Sequence, residues 1–225
     1  MSSPLAVPVP FLLHYPGSSV DDIAVFCVAV LVAVTVSAES QGFAATFLGD
    51  RKTGGGKRFH FNCFLHLDPI GTLCFFIAGF GWARGVEIDA SQFKHPRVYL
   101  VLSRLAGPMG NFMAASMAAS VLALLGSLGY EDKTFSSLVV VNLMTAVYGC
   151  ICIYPLPGWS VLSVLLPGFS RGETLARYGR IGGPFLLIAW FFLARMSGKD
   201  MVGAVLNPLI QSLAGFLAAP MNLLS

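Results

Sequence analysis

Apolar residues run along this chain in blocks, separated by short clusters of charge, glycine and proline. From Asp21-Asp22 to Leu48, the stretch AVFCVAVLVAVTVSAESQGFAATFL contains one charged residue, Glu39. Roughly 20 apolar residues suffice to cross a bilayer, so this block predicts a spanning helix. A glycine-rich basic loop follows, with Arg51, Lys52, Lys57 and Arg58. The next apolar run, Ile70 to Trp82, is short for a span and is punctuated by Gly71, Gly79 and Gly81. Both its flanks are basic, with Arg84, Lys94, Arg97 and Arg104 on the far side. A re-entrant hairpin keeps both flanks on one face; a full crossing would not.

A second span is predicted from about Tyr99 to Leu128, and a third from Phe135 to about Tyr154 after the turn at Tyr130–Lys133. Pro155-Leu156-Pro157-Gly158 should break that third helix. An apolar segment, Trp159 to Leu166, leads to a basic loop with Arg171, Arg177 and Arg180, and a fourth span covers Ile181 to Leu193, extended to Met196. The last run, Met201 to Leu217, contains Pro208 and reads as either a short fifth span or an interfacial helix. Residues 1–20 carry four prolines and no basic n-region, and are expected to be an irregular or interfacial lead-in rather than a cleavable signal. The fold class is thus an all-α polytopic membrane protein of about four to six transmembrane helices, with a re-entrant segment after the first.

Composition agrees. The chain is 56% hydrophobic and only 11% charged, values of an integral membrane protein with the lipid bilayer as its first partner. A net charge of +3, dispersed along the chain, gives no argument for nucleic acid. With the N-terminus outside, all Lys and Arg except Lys133, Arg195 and Lys199 fall on one face. The expected location is a bacterial plasma membrane or an organellar inner membrane, with the basic loops on the cytoplasmic, matrix or stromal side. The five cysteines (Cys27, Cys63, Cys74, Cys150, Cys152) lie in apolar surroundings and read as buried hydrophobes rather than disulfides.

One stretch departs from this apolar pattern: Ser37-Ala38-Glu39-Ser40-Gln41, followed by Ala45 and by Leu48-Gly49-Asp50. It is the first of several motifs, in order. Phe61-Asn62, His66 and Asp68-Pro69-Ile70-Gly71 come next, then Gly79-Phe80-Gly81-Trp82-Ala83-Arg84, then Ala106-Gly107-Pro108 with Asn111, and finally Gly149 to Gly158. The series resembles the site-2 protease family of intramembrane zinc metallopeptidases, over roughly residues 22–165. The resemblance implies a single membrane domain over residues 21–225, with core motifs within 37–158. It departs at Gly85 and Glu87, where the family's block continues differently.

In such an enzyme, two His at i and i+4 on one helix bind Zn²⁺, with a Glu after the first as general base and a distant Asp as third ligand. Carried over by position, the resemblance puts Ser37, Ala38, Gln41 and Pro157 in those places. None matches its counterpart: Ser37 and Gln41 are neutral oxygen donors, Ala38 moves no proton, and Pro157 has no ligating side chain. The expectations from the sequence are therefore no catalytic residue, no metal or other cofactor, and a chain that is not an enzyme. Glu39 sits about 100° around the helix from Ala38 and cannot replace the base. It is expected to pack inside the bundle, protonated or hydrogen-bonded, with Arg104 as a candidate neighbour.

His66 is expected to satisfy backbone groups of the re-entrant segment, while Cys150 and Cys152 fill core space rather than forming a substitute metal site with it. Asp68, Arg104 and Asn111 join Glu39 and His66 as structural or partner contacts. His60 and His95 fall in polar loops, Trp82 reads as an interfacial anchor, and Gly54-Gly55-Gly56 as a flexible linker. Three functional classes remain. The first is an accessory subunit of a larger membrane complex, such as an energy-transducing one. The second is a regulator that binds transmembrane client helices without cutting them. The third is an active intramembrane metalloprotease with a rebuilt site. A small transporter is disfavoured, because no internal repeat is visible.

Overall fold

The computed structural model describes residues 19–51, 62–78, 81–130, 132–165 and 173–197, together with 208, 212, 213 and 215. Six helices lie among them: α1 (Val20–Phe47), α2 (Pro69–Ala78), α3 (Pro96–Ser127), α4 (Lys133–Gly149), α5 (Trp159–Leu165) and α6 (Glu173–Ser197). Short 3-10 turns at Cys63–His66 and Ala90–Gln92 complete the path. Among the described residues there is no strand, only an isolated antiparallel bridge between Leu67 and Ala83. The described residues are all-helical in class. Two of the helices, α1 and α3, are long and apolar enough to cross a membrane.

Each helix starts where a local donor problem is solved. Ser19 and Asp22 form a reciprocal capping box at α1: the Asp22 amide donates to Ser19 Oγ and the Ser19 amide to Asp22 Oδ2, both at 3.2 Å. Asp132 Oδ1 accepts from the Phe135 amide at 2.9 Å to open α4. Pro96 stands in the first turn of α3, where its missing N–H costs nothing. α1 gives way at Gly49, whose φ of 115° lies in the left-handed region.

The helices α1, α3 and α4 pack on one another and form the centre of the fold. Their close approach is set by small residues. A Cβ on Gly110 would run into the Ser40 side chain, and one on Gly149 would meet Pro108 Cγ at 3.1 Å. The proline inside α3 is thus received by a glycine of α4. Such backbone proximity multiplies the dispersion contacts that hold the helices together. The buried face of α1 carries Phe26, Ala29, Val30, Ala33 and Val34 against Phe75 and Val141. Large apolar side chains point outward instead: Phe47 is 81% exposed and Met117 70%. That inversion suits lipid or a partner helix better than water.

The segment expected to fold back does so. α2 has ten residues, about 15 Å of helix, and its exit returns beside its entrance. The Arg84 amide donates to the His66 carbonyl at 2.8 Å, and Gly81 packs directly on the Gly71 backbone. Asp68 caps the helix, its Oδ1 accepting from the Gly71 amide at 2.7 Å. Trp82 corrects its expected role: it is 4% exposed and belongs to the core, closed over by Gly71, so it is no interfacial anchor.

Several boundaries differ from the pattern-based ones. α4 ends at Gly149 rather than near Tyr154, because the chain turns at Cys150–Tyr154 before Pro155 is reached. It has 17 residues. Arg177 and Arg180 are helical rather than in a loop, since α6 begins at Glu173. Charge alone misplaced that start; arginine is a good helix former. The lead-in 1–18, the glycine-rich loop with His60 (52–61), Arg171 and most of the run 201–217 lie outside the described residues.

Candidate functional site

Ser37 and Gln41 are one turn apart on α1 and face the same way, as an i, i+4 pair must. Both are 5% exposed. Gln41 Nε2 donates to the Ser37 carbonyl at 3.2 Å, and Arg104 of α3 donates through one guanidinium nitrogen to Gln41 Oε1 at 3.1 Å. The pair thus bonds both within its own helix and to a neighbouring one. α3 can come this close because residue 107 is glycine: a Cβ there would sit 2.9 Å from Ser37 Oγ and from Gln41 Nε2.

These groups border a cavity of about 710 Å³. Its walls are Ser37, Gln41 and Arg104, the segment Gly81–Asp89, and the turn Tyr154–Pro157 with Trp159 and Ser160. Ser37, Gln41 and Pro157 therefore meet in one space, although Pro157 is remote from the other two in sequence. Ala38 is buried at 1% exposure and does not border it. Asp50, also 1% exposed, fixes one wall by accepting the Asp89 amide at 3.1 Å. Reasoning from the sequence passed over Asp50, Asp89, Tyr154 and Trp159 as site residues. The signal available was the departure at Gly85 and Glu87, in the middle of the wall segment.

Among the described residues, Gly85, Val86 and Ile88 make no backbone–backbone hydrogen bond. They lie in no helix or strand.

Glu39 corrects the expectation about its partner. Its Oε1 pairs with His66 Nε2 at 2.9 Å, with side chains 13% and 14% exposed. His66 accordingly spends its imidazole on α1, and it is its carbonyl that receives the Arg84 amide. Glu39 faces a second groove of about 390 Å³, with Ser40, Phe43, Met109 and Met113, away from Ser37. Asn111 is fully buried, and neither side-chain polar atom has a hydrogen-bond partner among the described residues. His95 immediately precedes α3, its ring edge-on to Tyr99.

The donor set does not fit zinc. Gln41 Nε2 and Oε1 are committed to Ser37 and Arg104, and a guanidinium borders the space a dication would share. No group of three His, Cys, Asp or Glu that could hold a metal occurs among the described residues. Cys150 donates to the Ala146 carbonyl at 3.4 Å. Although the residue is open on one side, its sulfur is partly desolvated, which raises the thiol above its ordinary value, with Cys152 adding to the shift.

No family model matches the chain, and no solved structure matches it. The chain is 30% identical over 170 residues to the Bacillus subtilis (strain 168) protein named "Putative zinc metalloprotease YwhC", an alignment covering 72% of this chain and 76% of that protein. This finding overturns the expectation that the chain is not an enzyme, because a relative with that name points to a protease. The exchange of four residues at the site positions is not decisive for the whole molecule. The chain belongs to the zinc metalloprotease family of YwhC, in keeping with the resemblance of its ordered motifs to site-2 proteases.

Proposed function

We propose that this protein is a polytopic membrane protein that takes a transmembrane-derived peptide segment, in extended form, into the cavity beside Ser37 and Gln41. The observation that carries this reading is the wall at Gly85–Ile88. Gly85, Val86 and Ile88, which make no backbone–backbone hydrogen bond among the described residues, border the same cavity as Ser37, Gln41 and Pro157. An extended peptide laid along such backbone gains main-chain hydrogen bonds, and alternate side chains find pockets. The apolar outer surfaces of α1 and α3 support placement in a bilayer. The substrate class follows from the family, since proteases act on peptides.

Photo-crosslinking tests it. A transmembrane peptide carrying a benzophenone residue is mixed with the intact protein in nanodiscs, and the adducts are mapped by mass spectrometry. Adducts on residues 83–89 and 154–160 are expected. Adducts confined to the outward side of α3 would sink the reading. Release of cleaved peptide, in the same samples with and without chelator, measures turnover directly.

A second reading, an accessory subunit of a larger membrane assembly, is favoured by one observation. Met109, Met113 and Met117 form an exposed stripe at i, i+4 and i+8 on α3, a surface that suits a partner helix. Comigration with one large complex in blue-native electrophoresis is expected on this reading, and migration as a free monomer counts against it.

A further inference from the structure

Two amide side chains in the middle of the bundle lack a full set of partners. Asn111 of α3 is fully buried, and neither its Oδ1 nor its Nδ2 has a hydrogen-bond partner among the described residues. Asn142 of α4 is fully buried as well. Its Nδ2 donates to the Leu138 carbonyl at 2.8 Å, but its Oδ1 accepts nothing among the described residues. Buried amides nearly always find partners, because stranding one away from any donor or acceptor costs free energy.

Both side chains belong to the seam where α1, α3 and α4 meet. Asn111 follows Gly107 by four residues and Pro108 by three, so it shares their side of α3. Gly107 faces Ser37 and Gln41 of α1, and Pro108 faces Gly149 of α4. On α4, Val141 packs with Val30 and Val34 of α1, while Leu143 packs with Ala115 and Ala118 of α3. Asn142 stands between these two directions, about 100° around the helix from each. Thr145, three residues further on, lies on the same side and borders the cavity together with Ser37.

The heights match too. α3 and α4 are joined by a short turn at 128–132 and run antiparallel. Counted from the Pro108–Gly149 contact, Asn111 stands about 4.5 Å along the seam, Thr145 about 6 Å and Asn142 about 10.5 Å. The offset between the two amides, about 6 Å, is what one water covers with two hydrogen bonds of about 2.9 Å.

We infer that Asn111 and Asn142 bind water between them, in a buried site at the inner end of the cavity. The site stands on the packing of the three helices and does not depend on the peptide reading. Its ligand follows from the atoms to be satisfied. Asn111 needs both a donor and an acceptor, and Asn142 Oδ1 needs a donor. Water is both. A metal cation suits the two amide oxygens but is repelled by the Asn111 amide hydrogens, and an apolar ligand satisfies neither group. Thr145 spends its hydroxyl proton on the Val141 carbonyl at 2.8 Å and keeps its oxygen lone pairs for a water on the cavity side. The cavity thus continues into the bundle as hydrated polar space, a common way of satisfying buried polar groups.

The test uses the full chain in nanodiscs, labelled with ¹⁵N-asparagine, and reads magnetisation transfer from water to the side-chain amides by NMR. Signals are assigned by their loss in N111L and N142L. Both amides are expected to show a water cross-peak in the wild type, and the Asn111 cross-peak should be lost in N142L. Absence of the cross-peak at either amide, or an Asn111 cross-peak unchanged in N142L, overturns the inference. Thermal unfolding supplies a second readout, since leucine matches asparagine in shape. In a dry seam each leucine removes an unsatisfied amide and raises Tm. With water bound, each single variant strands the remaining amide and lowers Tm, and N111L/N142L recovers part of the loss. A raised Tm in either single variant overturns the inference. Should a leucine variant fail to fold, N111S and N142S serve for the assignment and the wild-type cross-peaks decide.

Discussion

Glu39 Oε1 and His66 Nε2 meet at 2.9 Å across 27 positions of sequence, and both side chains are largely shielded. The contact clamps the middle of α1 to the chain just before α2, which in turn carries the Leu67–Ala83 bridge and one wall of the cavity. Removing either partner deprives the other, largely shielded group of this contact. E39A and H66A should each cost about 1–3 kcal/mol, whereas the double variant should cost clearly less than their sum. Thermal unfolding of the four proteins in detergent checks this. Strictly additive losses would mean the pair is not coupled.

The helix-to-helix distance between α1 and α3 is fixed at Gly110, whose missing Cβ leaves room for Ser40. G110A should therefore force the helices apart and destabilise by about 1–3 kcal/mol, the usual cost of overpacking. S40A removes the atom struck first, so G110A/S40A should recover part of the loss. A G110A protein as stable as the wild type, in the same unfolding assay, would show that the helices are less tightly apposed than described.

How much of this was readable beforehand depends on the range of the interaction. α1, its Ser37/Gln41 face and the fold-back at α2 follow from local rules: apolar run length, the i, i+4 spacing and the glycines flanking a short apolar block. The partner of Glu39 does not, because its pairing with His66, 27 positions away, depends on tertiary placement that no local pattern encodes. Trp82 was misread for the same reason. Its burial depends on Gly71 being close in space, and the basic residue beside it, Arg84, pointed to an interface instead. Arg104 was noticed as a charge, yet its geometry with Gln41 requires the glycine at 107 to bring α3 within reach.

Asp68 is a local case with a sharper readout. Its side chain accepts the Gly71 amide at 2.7 Å, so D68A leaves the first turn of α2 uncapped. A loss of about 1 kcal/mol is expected, confined to the hairpin. Hydrogen exchange should accelerate at residues 70–73 and leave the α1–α3–α4 centre unchanged. Acceleration spread over all helices would assign Asp68 a wider role than capping.

The strongest check on the site is to rebuild what the family's chemistry needs. S37H/A38E/Q41H restores the two imidazoles and the general base on α1, in the i, i+4 spacing that suits one metal. Two obstacles remain in the cavity. Pro157 still offers no carboxylate, and Arg104, freed from Gln41, still presents its charge to the incoming dication. The triple variant should accordingly hold zinc well below one ion per chain after dialysis, by elemental analysis. Adding P157D and R104A supplies the third ligand and removes the repulsion, so occupancy should rise towards one. Stoichiometric, chelator-resistant zinc in the triple variant alone would show that neither Pro157 nor Arg104 governs the site.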